Sequence, residues 1–218
     1  MTLKLNGSSS GSVALDAPAS TTSGADITFK LPVADGTSGQ VLQTDGSGNL
    51  SWVSLKGWVH GSSVSAGTGG TYTFTGIPST AKRVIVTFEN LSPGSANGEL
   101  LGKVGNSGGI LSSGYDCTGG HWHGSGQNAT NYSNAHRFGQ GGYDDQSNNW
   151  FGIWTLYKTK DHFWVSQAHA SPDEGSTSFQ VSDSAIDTSS ALTQIQLGWD
   201  DGSSVFDGGH VTVDYLVG

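Results

Sequence analysis

A chain of 218 residues with a formal net charge of −9 holds one good-sized domain, or one domain with an appendage. Its 34 glycines, crowded by Ser, Thr, Asn and Asp, describe many turns between short strands and oppose helix. The acidic balance argues against nucleic-acid binding and docking on anionic lipid, and the lone cysteine, Cys117, excludes an intrachain disulfide framework and multi-thiolate zinc.

Taken in chain order, residues 1–6 (Met-Thr-Leu-Lys-Leu-Asn) lack the apolar core of a signal peptide, so synthesis in a cytoplasm without Sec export is expected. No apolar run reaches membrane-spanning length, and no membrane insertion is expected. Short apolar-alternating pieces follow at 3–5, 13–15, 27–31, 41–42 and 50–53. Between them lie Gly/Ser-rich turns, with Asp45-Gly46 giving the strongest hairpin signal. Such strands are only about 17 Å long. Without disulfide or metal, a unit of this size buries too little surface to stand alone. Residues 1–56 are therefore expected to complete their core against identical copies or a partner protein.

Residues 57–218 carry a stronger period-2 signal. Tyr72 and Phe74 alternate with threonines. The run 82–89 puts Val84, Val86 and Phe88 on one face and Ile85 on the other. The runs 150–157 and 163–165 read as a hairpin turning at 159–161. In 192–199, Thr193, Ile195, Leu197 and Trp199 share a face, and the last strand sets Val211, Val213, Tyr215 and Val217 opposite Thr212 and Asp214. No run has helical periodicity. The fold class expected is all-β: a short N-terminal β-strand attachment and trimerisation region (1–56), then a β-sandwich, jelly-roll-like distal domain (57–218). From 114 to 149 the alternation collapses, which leaves either functional loops or weak strands.

Four motifs have a chemical and a plain reading. Gly105-Asn106-Ser107-Gly108-Gly109 matches a serine-nucleophile pattern, but no helix follows and the only upstream histidine is His60; a glycine-rich turn is the plain reading. His121-Trp122-His123 would put two imidazoles on one side of an extended segment, where they could chelate a metal; solvent-facing loop histidines are the plain reading. The stretches 45–49 and 200–207 carry oxygen ligands at alternate positions without the glycine and glutamate of an EF-hand loop, as hairpin turns also do. Trp122, Tyr132, Tyr143 and Trp150, interleaved with Asn128, Asn131, Asn134, Asp144 and Asp145, suit a carbohydrate-reading or protein-contacting surface; the plain reading puts Trp150 in the core.

In the first half the segments 11–18 (Gly-Ser-Val-Ala-Leu-Asp-Ala-Pro), 27–32 (Ile-Thr-Phe-Lys-Leu-Pro) and 36–52 stand out, and in the second 74–88, 105–115 and 205–215. On these segments both halves resemble bacteriophage tail fibres and related virion appendages, in the style of phages of marine bacteria and cyanobacteria. It implies a non-enzymatic virion structural protein, a homotrimer located in the particle, joined to other virion proteins through residues 1–56. Distal loops at 115–149 would bind a host-surface glycan or protein, with His121, Trp122, His123, Asn131, Tyr132, Tyr143, Asp144 and Asp145 as the receptor-binding candidates. No catalytic residue, metal or cofactor is expected. Two alternatives stay open: a capsid or tail decoration protein without a receptor, and a carbohydrate-active enzyme using Asp144, Asp145, Asp173 or Glu174, which would need carboxylates about 5–10 Å apart.

Overall fold

Alternation, rather than helical stripes, decides the local structure throughout. A computed structural model describes residues 3–6, 8–54, 56–67, 69–93, 98–123, 126–138, 149–172 and 178–218. Strands follow one another as β1 (Leu3–Asn6), β2 (Ser12–Leu15), β3 (Gln40–Thr44), β4 (Leu50–Ser54), β5 (Gly57–Ser65), β6 (Thr71–Thr75), β7 (Ala81–Pro93), β8 (Leu100–Asn106) and β9 (Gly109–Ile110). They continue as β10 (Asp116–His123), β11 (Gly126–Tyr132), β12 (His136–Arg137), β13 (Trp150–Lys160), β14 (Phe163–Pro172), β15 (Ser178–Asp187), β16 (Gln194–Trp199) and β17 (Phe206–Val217). A single 3₁₀ turn, Thr22–Gly24, is the one helical element among the described residues. Two compact units result, Met1–Leu55 and Lys56–Gly218, one residue from the boundary expected.

The first unit consists of two hairpins, β1–β2 and β3–β4. The β3–β4 turn is held by Asp45, whose carboxylate accepts from the amides of Ser47 (2.7 Å) and Asn49 (3.1 Å) and from the Asn49 side chain (2.6 Å). Those bonds lower its pKa and occupy the oxygens a calcium ion would need. The segment 27–31, expected as a strand, makes only a bridge: Lys30 N–H donates to Gly48 O and Leu50 N–H to Lys30 O, each at 2.8 Å. Trp52 Nε1 donates to Ala34 O at 3.0 Å and its ring packs on Gly36, where a Cβ would come within 2.6 Å. Among the described side chains of 3–54, none is buried. Leu3, Leu5, Leu15, Ile27, Phe29, Leu31 and Val33 are all exposed.

The second unit is a sandwich of two antiparallel sheets, so the all-β expectation stands. Eight strands run in the order β11-β10-β15-β14-β13-β7-β17-β5; β12-β8-β16-β6, with β9 folded back on β8, make the other layer. Inward positions supply one core: Val84, Val86 and Phe88 from β7, Trp154 and Leu156 from β13, Val211 and Val213 from β17, facing Val104, Ile195, Leu197 and Trp199. The layers meet where β8 has no side chain. A Cβ on Gly102 would lie 2.6 Å from the Trp154 ring and 3.0 Å from Phe138, and that vacancy admits the fully buried indole. Phe138 packs edge-on against Trp154 and Phe88. Full burial of such a side chain stabilises by about 2–3 kcal/mol.

Two buried polar groups stitch the layers. The His136 ring, on β12, lies 3.0 Å from Ser166 Oγ and 2.8 Å from Ser182 Oγ on the facing sheet. Burial lowers its pKa to about 3, so it is a neutral hydrogen-bonding bridge. Arg137 donates to Glu99 (2.5 Å) and Asp200 (2.7 Å), and its guanidinium lies over the Tyr132 ring at 4.6 Å. Burial opposes the charge, but the two carboxylates raise the Arg137 pKa nonetheless.

The 114–149 region resolves differently from outward loops. Its first part is the hairpin β10–β11, hydrogen-bonded to β15 at one end of the larger sheet. Backbone ladder bonds, rather than apolar alternation, hold it: its inward positions are Cys117, Gly119 and His121, and nothing in that series reads as a core face.

Candidate functional site

On the outer face of the larger sheet, strand registers align side chains in rows across neighbouring strands. One row runs Asp116, Ala185, Val165, Tyr157, Arg83, Leu216, Trp58. The next runs Asn131, Thr118, Asp183, Gln167, Thr155, Ile85, Asp214, His60. Two residues further along, Gly120, Val181, His169 and Ile153 follow. After these come Trp122 and Phe179. Each row lies about 7 Å from the next, two residues along a strand.

Between the first two rows lies an open depression of about 350 Å³, lined by Asp116, Thr118, Tyr157, Val165, Gln167 and Asp183. Its chemistry is mixed: two exposed carboxylates, an amide and a hydroxyl surround an apolar patch of tyrosine, valine and alanine. Arg83 packs its guanidinium 4.4 Å from the centre of the Tyr157 ring, which holds that ring from one side. Thr118 Oγ1 donates to Asn131 Oδ1 at 2.8 Å, so the Asn131 amide nitrogen remains a donor at the rim. Among the described residues, Asp116, Gln167 and Asp183 make no side-chain hydrogen bond.

The predicted residues divide. Trp122 and Phe179 stack as an exposed cross-strand pair, rings 4.9 Å apart and 6° from parallel, at 43% and 49% exposure. Asn131 lies beside the depression, paired with its lining residue Thr118. His121 is buried on the inner face, since alternation that turns Trp122 outward turns His121 inward. The His123 backbone pairs with Ser178 and Gly126. Tyr132 is half-buried beneath Arg137; burial, then the Glu99 charge, raises its pKa. Tyr143, Asp144 and Asp145, like Asp173 and Glu174, lie outside the described residues. Trp150 belongs to the core. No group of three metal-ligating side chains occurs among the described residues.

The serine motif is a turn. Asn106 pairs with Gly109, Ser107-Gly108 make the corner, and Gly108 N–H donates to Asn106 Oδ1 at 2.7 Å. Asp201 likewise accepts from Ser203 N–H, Ser204 N–H and Ser204 Oγ at 3.0, 2.8 and 2.6 Å. Burial opposes its charge slightly; those bonds outweigh it and lower its pKa. Burial raises the Cys117 thiol pKa, so that thiol is a packing group. One contact escaped the sequence reading: Ser63 Oγ lies 2.5 Å from His210 Nε2, across a separation of 147 residues. His210 also lines a small depression with Thr87, Phe88, Glu89 and Thr212, and it pairs in register with Ser65 on β5 and Glu89 on β7.

No protein-family model matches the chain, and no curated protein matches it significantly. Among solved structures, it is similar to a crystallised protein of unknown function from Shewanella oneidensis MR-1. The identity is 9%, over 82% of this chain and 78% of that one, with a TM-score of 0.23. So slight a likeness says nothing of function.

Proposed function

We propose that this chain is a non-enzymatic virion appendage protein of the phage-fibre kind. It assembles as a homotrimer, docks on other virion proteins through residues 1–56 and contacts the host surface through its sandwich. The observation that carries this reading is the division of burial. The second unit has a complete core, whereas the first leaves Leu3, Leu5, Leu15, Leu31, Ile27, Phe29 and Val33 in solvent. Apolar surface of that kind on a unit too small to cover it fits a partner of the same chain or particle. Three copies would then gain avidity from individually weak contacts. Size-exclusion chromatography with light scattering on the full chain should give three times the monomer mass. A concentration-independent monomer would refute the reading. Decoration without a receptor is the second reading, favoured only if labelled protein fails to bind host cells above background.

A further inference from the structure

We infer that the outer face of the eight-stranded sheet is a binding site for a neutral saccharide. One sugar ring would sit in the depression among Asp116, Thr118, Asn131, Tyr157, Gln167 and Asp183. The chain would run on along β10 and β15 towards the Trp122–Phe179 pair. This deepens the appendage reading and rests on it only for avidity.

Each part of the face excludes another ligand class. Asp116 and Asp183, near-diagonal neighbours about 7–8 Å apart by strand geometry, repel phosphates, acidic sugars and nucleic acid. They are strong acceptors for adjacent hydroxyls, whose bonds to carboxylate oxygens are charge-assisted. Gln167 and the Asn131 amide supply donors, which a polyol also needs. Tyr157, Val165 and Ala185 give the apolar floor on which the C–H face of a pyranose ring rests. Arg83 already occupies one face of Tyr157, so an organic cation would find that face of the ring taken. Fewer than three metal-ligating groups gather here among the described residues, which disfavours a divalent ion. A peptide adding itself as a strand needs an open edge, and this is a sheet face whose backbone is already paired.

The dimensions agree. About 350 Å³ lies at the small end of ligand sites, enough for one ring and its substituents. From the Thr118–Asp183 pair to Trp122–Phe179 is four residues along the strands, about 13 Å. The intervening pair is Gly120 and Val181; with no side chain on Gly120, the floor stays low between the two contact points. An oligosaccharide can therefore touch both.

The test is affinity electrophoresis of the full chain through gels containing soluble neutral polysaccharides (a glucan, mannan, galactan and xylan), with polygalacturonate as the acidic control. At least one neutral polymer should retard the protein, and polygalacturonate should not. Asp183→Asn and Tyr157→Ala should each weaken retardation about tenfold, in keeping with loss of a charged hydrogen bond or an aromatic contact. Trp122→Ala should weaken binding to polymer more than to the monosaccharide as competitor. Circular dichroism melts confirm that each variant folds, and Gln167→Ala serves as a milder replacement where one does not. No retardation by any neutral polymer overturns the inference, as does retardation that the variants leave unchanged, spermine competing as well as sugar, or new reducing ends appearing in the bound polymer. Light scattering on the same samples separates the two proposals: a trimer that ignores sugars keeps the appendage reading, and a monomer that binds them keeps this one.

Discussion

His136 makes the stability of the sandwich depend on pH in a window where its carboxylates contribute little. The ring is fully buried between Ser166 and Ser182, and burial holds its pKa near 3 in place of the ordinary 6.5. A folded pKa below the unfolded one means that stability is complete above about pH 6.5 and is lost as pH falls towards 3, because the unfolded chain takes the proton first. Each pH unit within that window is worth about 1.36 kcal/mol. At pH 5, about 1.5 units below the unfolded value, the loss is about 2 kcal/mol. The lowered pKa values of Asp45 and Asp201 act in the same direction, but only below about pH 4, where those carboxylates protonate in the unfolded chain. The assay is urea unfolding followed by tryptophan fluorescence at pH 7 and pH 5, on the native chain and on His136→Gln. The variant side chain is neutral at both pH values and keeps hydrogen bonds available to the serines. The native chain should lose about 2 kcal/mol more than the variant between the two pH values; the other histidines are common to both. Equal losses would refute the buried neutral bridge.

Three further outcomes follow from the packing. Gly102→Val should destabilise by about 1–3 kcal/mol, read as a lower urea midpoint, because its side chain must displace the Trp154 ring; an unchanged midpoint would mean that the two layers do not nest there. Ser107→Ala should leave stability within about 0.5 kcal/mol and alter no activity of the protein, since Ser107 is an exposed turn residue; loss of an esterase or peptidase activity would revive the nucleophile. Removing residues 1–55 should leave a cooperatively folding sandwich with an unchanged urea midpoint but no trimer. An unfolded product would show that the first unit supports the second.

The parts legible in the sequence are those whose two faces differ in polarity. Val84, Val86 and Phe88 against Ile85, and Val211 and Val213 against Thr212 and Asp214, were assigned to faces that the structure keeps. The β10–β11 hairpin was ambiguous because Cys117, Gly119 and His121 inside and Thr118, Gly120 and Trp122 outside carry no polarity contrast; its strands exist through pairing with β15. Conversely, 27–31 has the alternation of a strand but makes only the isolated Lys30–Asn49 bridge, and propensity alone does not make a sheet. The depression was illegible for a related reason. Asp116 and Thr118 lie far along the chain from Tyr157, Gln167 and Asp183, and only the registers of β10, β15, β14 and β13 bring them together. Trp122 was visible because an exposed aromatic among Gly and His has no core to enter.

Strand β17 lies between β7 and β5 in the larger sheet, so two of the earliest strands of the sandwich wait for one of its latest. On a ribosome, β7 would emerge with Val84, Val86 and Phe88 ready to pack and both of its hydrogen-bonding edges unfilled, one until β13 and the other until β17 is made. Such late closure favours slow assembly, with a sticky nascent edge during synthesis. Expression at low temperature, or with a chaperone that shields that edge, is therefore the practical route to soluble material.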